Sequence, residues 1–326
     1  MVVLRQLAVR HLHEVLPSVR FVEDDECTGT NCVIFRLGIG ENDVACRFEP
    51  AVEPVSRDGR VRAALCEVAP HLTAYPVDIL AGADPLVDTP VGPYRFVFSE
   101  WLKRCDWPAD LAASERLMRL GKAVGSLHLA IDRAGIGKIV CSPPPMVYWD
   151  TQWLTTDEAT TISNALGSEV GTFVFRATMM VAEACEARPE PEPCHGDLHG
   201  ENVFLSLSGP RFLDFDFCRM QPLGRALDVG TLLHRSIRRE LQSGGACDPL
   251  ELSTAFLAGY GQMTGPMPPL PLVLFSACLE SARKWWYLGH RLPPGIGDAA
   301  YWEKVRDHHG NFLVEMMAMF EPRGIF

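Results

Sequence analysis

The sequence has no apolar run approaching the ~18 residues that a membrane-spanning helix needs, so no membrane partner is expected. It has no Cys-x-x-Cys pair. Its eleven cysteines are odd in number and irregularly spaced, which reads as reduced, mostly packed thiols rather than a disulfide framework or a zinc site. Basic residues are in the minority, 30 Lys and Arg against 41 Asp and Glu, for a net charge of −11. With no basic, aromatic-interleaved patch, that balance argues against a nucleic-acid partner and is compatible with a cationic small molecule. A signal-peptide pattern is missing at the start. Arg5, Arg10, His11, His13 and Glu14 interrupt the chain there, while Leu4, Leu7, Ala8 and Leu12 share one face of an amphipathic helix. A cytoplasmic protein is expected, and 326 residues are enough for two domains.

What the sequence does have is one dense stretch, Cys194-His195-Gly196-Asp197-Leu198-His199-Gly200-Glu201-Asn202, followed by the apolar Val203-Phe204-Leu205. Ser208-Gly209-Pro210 turns the chain into a second short strand, Arg211 to Asp214, and Phe215-Asp216-Phe217 follows. Such a hairpin brings Asp197, Asn202 and Asp214 to one end. Hard oxygen donors of this kind suit magnesium and phosphate oxygens, and a carboxylate beside them suits a hydroxyl that must lose its proton. Two other readings fit parts of the stretch. His195, Asp197 and His199 alternate as metal ligands of a hydrolase do, and Asp-rich turns form on their own account. The first leaves Asn202 and Asp214 without a role.

The pattern His-Gly-Asp-Leu-His, Asn three residues later, then hydrophobic-Asp-aromatic-Asp resembles the catalytic core of the aminoglycoside phosphotransferase and choline kinase superfamily, small-molecule kinases with a protein-kinase-like fold. The resemblance implies an α+β architecture of two lobes, a β-rich lobe over residues 1–102 and a helical lobe over 103–326. It implies Asp197 as catalytic base, Asn202 and Asp214 as holders of Mg²⁺, and Asp216 as a second metal contact or supporting carboxylate. His195 and Asp228 then shape the loop, with Asp228 ordering it through backbone hydrogen bonds. ATP is the expected phosphoryl donor, with GTP as an alternative.

In the first lobe, Cys32 to Leu37 and Val44 to Phe48 alternate as a hairpin, entered through a small-residue turn at Gly29 and Thr30 that can close over phosphates. Arg47 stands on the third strand, where the fold normally carries a lysine. It offers a fixed fork rather than a point charge. A strand-pairing role is its plain alternative, and its carboxylate partner is left open between residues such as Glu53 and Glu67. A helix is predicted over 57–69, a strand over 75–80, a loop over 82–89 and a strand over 94–102. Ser99, Glu100 and Trp101 fall at the hinge that the resemblance assigns to adenine.

Leu117, Leu120, Val124, Leu127 and Ile131 share one face of a helix of about 20 residues. Residues 132–154 read as irregular, and helices follow near 155, over 170–187 and, past the hairpin, over 232–241, 249–260, 270–288 and 299–320. Acceptor-side candidates are Tyr148, Trp149, Glu280, Arg283, Trp285 and Trp286, with the carboxylate of Phe326 as a further one. The acceptor is expected to be a hydroxyl of an aminoglycoside or related antibiotic. A metabolic alcohol such as choline, homoserine, a sugar or a nucleoside is the alternative, and a nucleotide-binding protein with little turnover is a third reading. Protein substrates are not expected, because no activation loop with an Ala-Pro-Glu signature is present. The protein is expected to be a monomer or homodimer.

Overall fold

Strict alternation builds the first part of the molecule. Val33, Phe35 and Leu37 on one strand and Val44, Cys46 and Phe48 on the next point to the same side of the sheet and are buried there. Leu4, Ala8 and Leu12, one helical turn apart, cover that face. The computed structural model describes residues 2–22, 27–28, 32–51, 57–77, 86–103, 105–140, 156–188, 190–206, 209–243, 247–265, 267–290 and 299–325. The predicted sites at Gly29, Thr30, Tyr148, Trp149 and Phe326 lie outside the described residues.

In chain order the elements begin with α1 (Val2–Val15), β1 (Arg20–Phe21), β2 (Cys27–Thr28), β3 (Val33–Ile39), β4 (Asn42–Pro50), α2 (Arg57–Val68), β5 (Leu86–Thr89) and β6 (Gly92–Glu100). The strands form one antiparallel sheet in the order β1-β3-β4-β6-β5, with β2 also on β3. The helical part follows with α3 (Ala113–Arg133), α4 (Ile136–Ile139), α5 (Thr156–Leu166) and α6 (Ser168–Ala187). Three short strands come next, β7 (Glu192–Cys194), β8 (Val203–Ser206) and β9 (Gly209–Phe212), then β10 (Arg219–Gln221). The chain ends with α7 (Gly224–Gln242), α8 (Pro249–Thr264), α9 (Leu270–His290) and α10 (Ala299–Phe320). This is a mixed architecture, an antiparallel sheet followed by a mostly helical remainder, as expected. Among the described residues no helix is long and apolar enough to cross a membrane.

Two segments differ from the sequence reading, and a third is described only in part. Residues 86–89 form an edge strand rather than loop, because Leu86 to Thr89 pair in register with Gly92 to Arg95. Of the strand predicted over 75–80, residues 78–80 lie outside the described residues, and Tyr75 to Val77 pair with β6 through a bridge of Pro76 to Ser99 flanked by two backbone hydrogen bonds. Helix α7 begins at Gly224 rather than 232, since Leu223 takes a left-handed conformation (φ 55°) and turns the chain directly into it.

Helices α3 and α8 cross in close contact. A Cβ on Gly121 would lie 2.0 Å from the Phe256 carbonyl oxygen, and one on Gly259 would lie 2.0 Å from that of Met118. Two glycines, one on each helix, therefore let the backbones meet. That contact places His128 and Tyr260 side by side beneath the loop that follows β7.

Candidate active site

The loop from His195 to Asn202 is held from below by one carboxylate. Asp228, near the start of α7 and 1% exposed, accepts the His195 N–H (2.7 Å), the Gly196 N–H (2.9 Å) and the His128 Nε2–H (3.1 Å). His128 Nδ1 meets the Tyr260 hydroxyl at 2.8 Å, so the chain of contacts runs into α8. Gly196 has φ 83°, and a Cβ there would lie 2.2 Å from the Phe217 carbonyl oxygen, so only glycine fits. The His195 ring crosses to the other arm of the hairpin. Its Nε2–H donates to the Leu213 carbonyl (2.9 Å) and its Nδ1 accepts the Asp197 N–H (3.4 Å). With both nitrogens engaged in this way, His195 shapes the loop and is not available as a metal ligand.

Asp197 is then aimed by three neighbours. Asn202 Nδ2 donates to its carbonyl (2.9 Å), which leaves the Asn202 Oδ1 as the free acceptor of that amide. His199 Nδ1 accepts the Glu201 N–H (3.3 Å), so its proton sits on Nε2, 3.3 Å from the Asp197 carboxylate. Lys284, on α9, approaches Asp197 Oδ1 to 3.3 Å and Glu280 to 3.7 Å. Burial works to raise the Asp197 pKa, but Lys284 and His199 outweigh it and hold the carboxyl well below the usual range.

Across the cleft, Asp214 adopts a left-handed conformation (φ 62°, ψ 69°), uncommon for a residue other than glycine and of the kind found at functional turns. The turn is fixed from α2, where the Asp58 carboxylate accepts the Phe215 N–H (2.9 Å). Arg47 on β4 sits in a ring of four carboxylates: Glu49 at 2.6 Å, Asp216 at 3.1 Å, Asp58 at 3.2 Å and Asp214 at 3.5 Å. Burial together with the Asp216 charge pushes the Asp214 pKa up to about 7, against the pull of Arg47. The donor set therefore fits a divalent cation. It combines an amide oxygen with carboxylates whose crowding an added positive charge would relieve.

At the predicted hinge, Ala45 pairs with Ser99 and Arg47 with Val97, so Ser99 shares a face of the sheet with Arg47. The Glu100 N–H donates to the Tyr75 carbonyl (2.8 Å) and the Trp101 N–H to that of Asp43 (3.3 Å). The Glu100 carboxylate pairs with Arg211 on β9, and the Trp101 ring carries the Arg36 guanidinium 5.4 Å from its centroid. The acceptor-side candidates on α9 separate. Glu280 is buried and pairs with Arg219 at 3.0 Å, and Arg219 also donates to the Gly196 carbonyl at 3.2 Å. Trp285 is buried in the helical core against Gly310, and Trp286 stacks on His290 at 5.3 Å. Burial lowers the Arg283 pKa, with Glu280 and then Glu158 acting against it.

Sequence reasoning missed Lys284, Asp58 and Glu49. The i, i+4 spacing of Glu280 and Lys284 was the available signal for the first. For Arg47 the strand periodicity places Glu49 on the same face.

The same burial sets an acid limit on the fold. His195 and His234 are each at most 1% exposed, and desolvation lowers both pKa values, that of His234 to about 3. An unfolded chain binds protons on both below about pH 6.5, so their contribution to stability is present above that pH and lost as pH falls. Asp214 opposes them, because its raised pKa makes the folded state the better proton binder between about pH 4 and 7. Burial shifts His308, to about 4, and His309 the same way, so four histidines stand against one carboxyl and unfolding takes up as many as three protons. The urea midpoint is therefore expected to fall from pH 6.5 to 4.5, with a slope of at most ~4 kcal/mol per pH unit. Replacing His234 by Leu should flatten that limb, and a midpoint rising towards pH 4.5 in the parent protein would refute the assignment.

The Phosphotransferase enzyme family model matches residues 35–271. No curated protein matches by sequence. The fold is similar to that of a microcompartment-associated aminopropanol kinase (TM-score 0.63, 17% identity, covering 98% of this chain and 96% of that one). It is also similar to a spectinomycin phosphotransferase solved with ADP and spectinomycin (TM-score 0.61, 12% identity, 96% and 98%). A third similar structure is an amicoumacin kinase with AMP-PNP and Ca²⁺ (TM-score 0.60, 15% identity, 94% and 93%). With its family model running from β3 through the His195–Asn202 loop to the start of α9, the chain belongs to the phosphotransferase enzyme family.

Proposed function

We propose that the protein transfers the γ-phosphoryl group of ATP to a hydroxyl of a small molecule. The observation that supports this is that Asn202 bonds the Asp197 carbonyl and accepts the Leu213 N–H next to Asp214, whose carboxyl feels the Asp197 charge, while Lys284 and His199 hold the Asp197 carboxyl ionised. Residues 1–102 form the nucleotide lobe in this reading and 103–326 the acceptor lobe. Asn202 and Asp214, with Asp216 beside them, would hold Mg²⁺, which when bound neutralises charge on the phosphoryl oxygens. Arg47 binds phosphate by exchanging part of its carboxylate ring for the nucleotide. Since the N–H groups of Glu100 and Trp101 are spent on Tyr75 and Asp43, the hinge presents the Glu100 carbonyl and the Leu102 N–H to adenine.

Asp197 orients the acceptor hydroxyl and takes its proton. The acceptor oxygen bonds to the γ-phosphorus as the bond from that phosphorus to the β–γ bridging oxygen breaks, and ADP leaves with the bridging oxygen. Placement and electrostatics supply most of the acceleration.

For the acceptor, the catalytic stretch resembles that of antibiotic kinases, which supports an aminoglycoside or related antibiotic. A second reading, a smaller metabolic alcohol, is supported by Lys284. A cation 3.3 Å from the base leaves little room beside it for the positive charges of an aminoglycoside. The test is ATP consumption with Mg²⁺ against aminoglycosides, nucleoside antibiotics, choline and homoserine, with products weighed by mass spectrometry. A product heavier by one phosphoryl group is expected for one class. Nucleotide binding without transfer to any acceptor would favour the third reading, a protein with little turnover.

A further inference from the structure

Arg235 on α7 is a half-buried cation with no ion-pair partner among the described residues. Its Nε is shut off from solvent and has no hydrogen-bond acceptor, and among the described residues no carboxylate lies within ion-pair distance of its guanidinium. Burial pulls its pKa below the usual arginine value, with Asp197 and then Glu201 acting against that pull. Taking a charge even partly out of water without a partner is costly, and the cost is normally met by pairing. Neighbouring arginines show the contrast: Arg116 is taken by Glu240, and Arg238 pairs with Glu315 at 3.1 Å.

The side chain borders a cavity of about 270 Å³. One wall is the catalytic loop at Gly200, three residues after Asp197, and another is β8 at Val203 and Leu205. Trp107 and Leu120 add apolar surface, the Arg116–Glu240 ion pair lines the cavity too, and Arg239, one helical turn from Arg235 and exposed, also borders it. The volume equals that of about nine water molecules, enough for a ring or short chain with one charged group. A chain of net charge −11 repels anions in general, so an anion site on it must be built from local cations.

We propose that this cavity receives part of the acceptor, a carboxylate or phosphate on a small apolar body, and that Arg235 selects it. The inference rests on the phosphotransferase reading and narrows its substrate class to alcohols that carry an acid group. Lys284 beside Asp197 fits the same class, and a polycationic acceptor does not.

Titration calorimetry of the full chain, with saturating ADP to occupy the nucleotide side, reads the site without turnover. Benzoate and phenyl phosphate are the probes, with benzamide as the neutral control. At least one anion should bind tenfold or more tighter than benzamide, and the tighter of the two tells carboxylate from phosphate. Arg235→Gln should remove the difference and Arg235→Lys keep part of it. Should Arg235→Gln fail to fold, Leu120→Phe narrows the cavity from α3 and should weaken both anions alike. In a second arm, kcat/KM for phosphorylating 4-(hydroxymethyl)benzoate should exceed that for benzyl alcohol at least tenfold, falling below threefold in Arg235→Gln. Equal binding of benzoate, phenyl phosphate and benzamide, or equal turnover of the two alcohols, overturns the inference and leaves the kinase reading standing. Selective anion binding with no transfer to either alcohol counts against the kinase reading instead.

Discussion

Asp197→Asn should lower kcat for phosphoryl transfer by about 10²–10⁴-fold, the usual contribution of a positioned proton acceptor, with little change in nucleotide affinity. The substitution is nearly isosteric, so the loop should keep its shape. The Asn202 contact goes to the main-chain carbonyl and not to the lost carboxylate oxygen. Two things disappear: the acceptor for the hydroxyl proton, and the negative charge that Lys284 and His199 face at 3.3 Å. Lys284 then has Glu280, at 3.7 Å, as its nearer counter-charge, so the acceptor KM is expected to shift as well, in a direction set by the acceptor's own charge. The check is single-turnover transfer alongside calorimetric nucleotide binding. A variant keeping more than a tenth of the parent kcat would remove Asp197 from the chemistry and send the search for the base back to Glu201 or His199.

The second large effect is on stability. Asp228→Ala should cost about 3–5 kcal/mol, because it strands donors that have no other partner inside the protein. The His195 and Gly196 N–H groups are buried and both end on this carboxylate, at 2.7 and 2.9 Å, as does His128 at 3.1 Å. A loss of that size is a large fraction of the stability of an ordinary domain and corresponds to a drop on the order of 10 °C in Tm. Asp228→Asn should be milder, since an amide oxygen can keep one of the two main-chain bonds while its NH₂ faces the other donor. Activity should fall further than Tm alone explains, since the same bonds aim Asp197. Melting curves and kcat for the two variants check both parts. An Ala variant within about 2 °C of the parent would show that water or a loop shift satisfies these donors, and that the loop is held elsewhere.

Much of this site was legible before any coordinates, and the reason is local. Asp197, Asn202 and Asp214 lie within one loop and one hairpin, so chain geometry brings them near each other whatever the rest of the molecule does. His195 and Asp228 were read as supports of that loop; Asp228 accepts the His195 N–H and the His195 ring donates to the Leu213 carbonyl. The β3–β4 hairpin was legible for a similar reason, since a period of two apolar positions marks a half-buried strand directly. The edge strand Leu86–Thr89 was not, being four residues long with a single buried position, Val87.

What lay beyond the sequence was each contact that joins distant segments. Arg47 meets Asp216 across 169 residues, and Lys284 meets Asp197 across 87. Nothing near Lys284 distinguishes it from Arg283 or Trp285. The helix turn alone decides that Lys284 reaches Asp197 while Trp285 enters the core. Arg235 is the same case: only the packing of α7 brings it, with Arg239, to the cavity beside Gly200. The chemistry of the cleft is therefore written in short-range spacing, which a fixed backbone period turns directly into geometry. The charges around it depend on how helices far apart in the chain pack, and no local pattern encodes that.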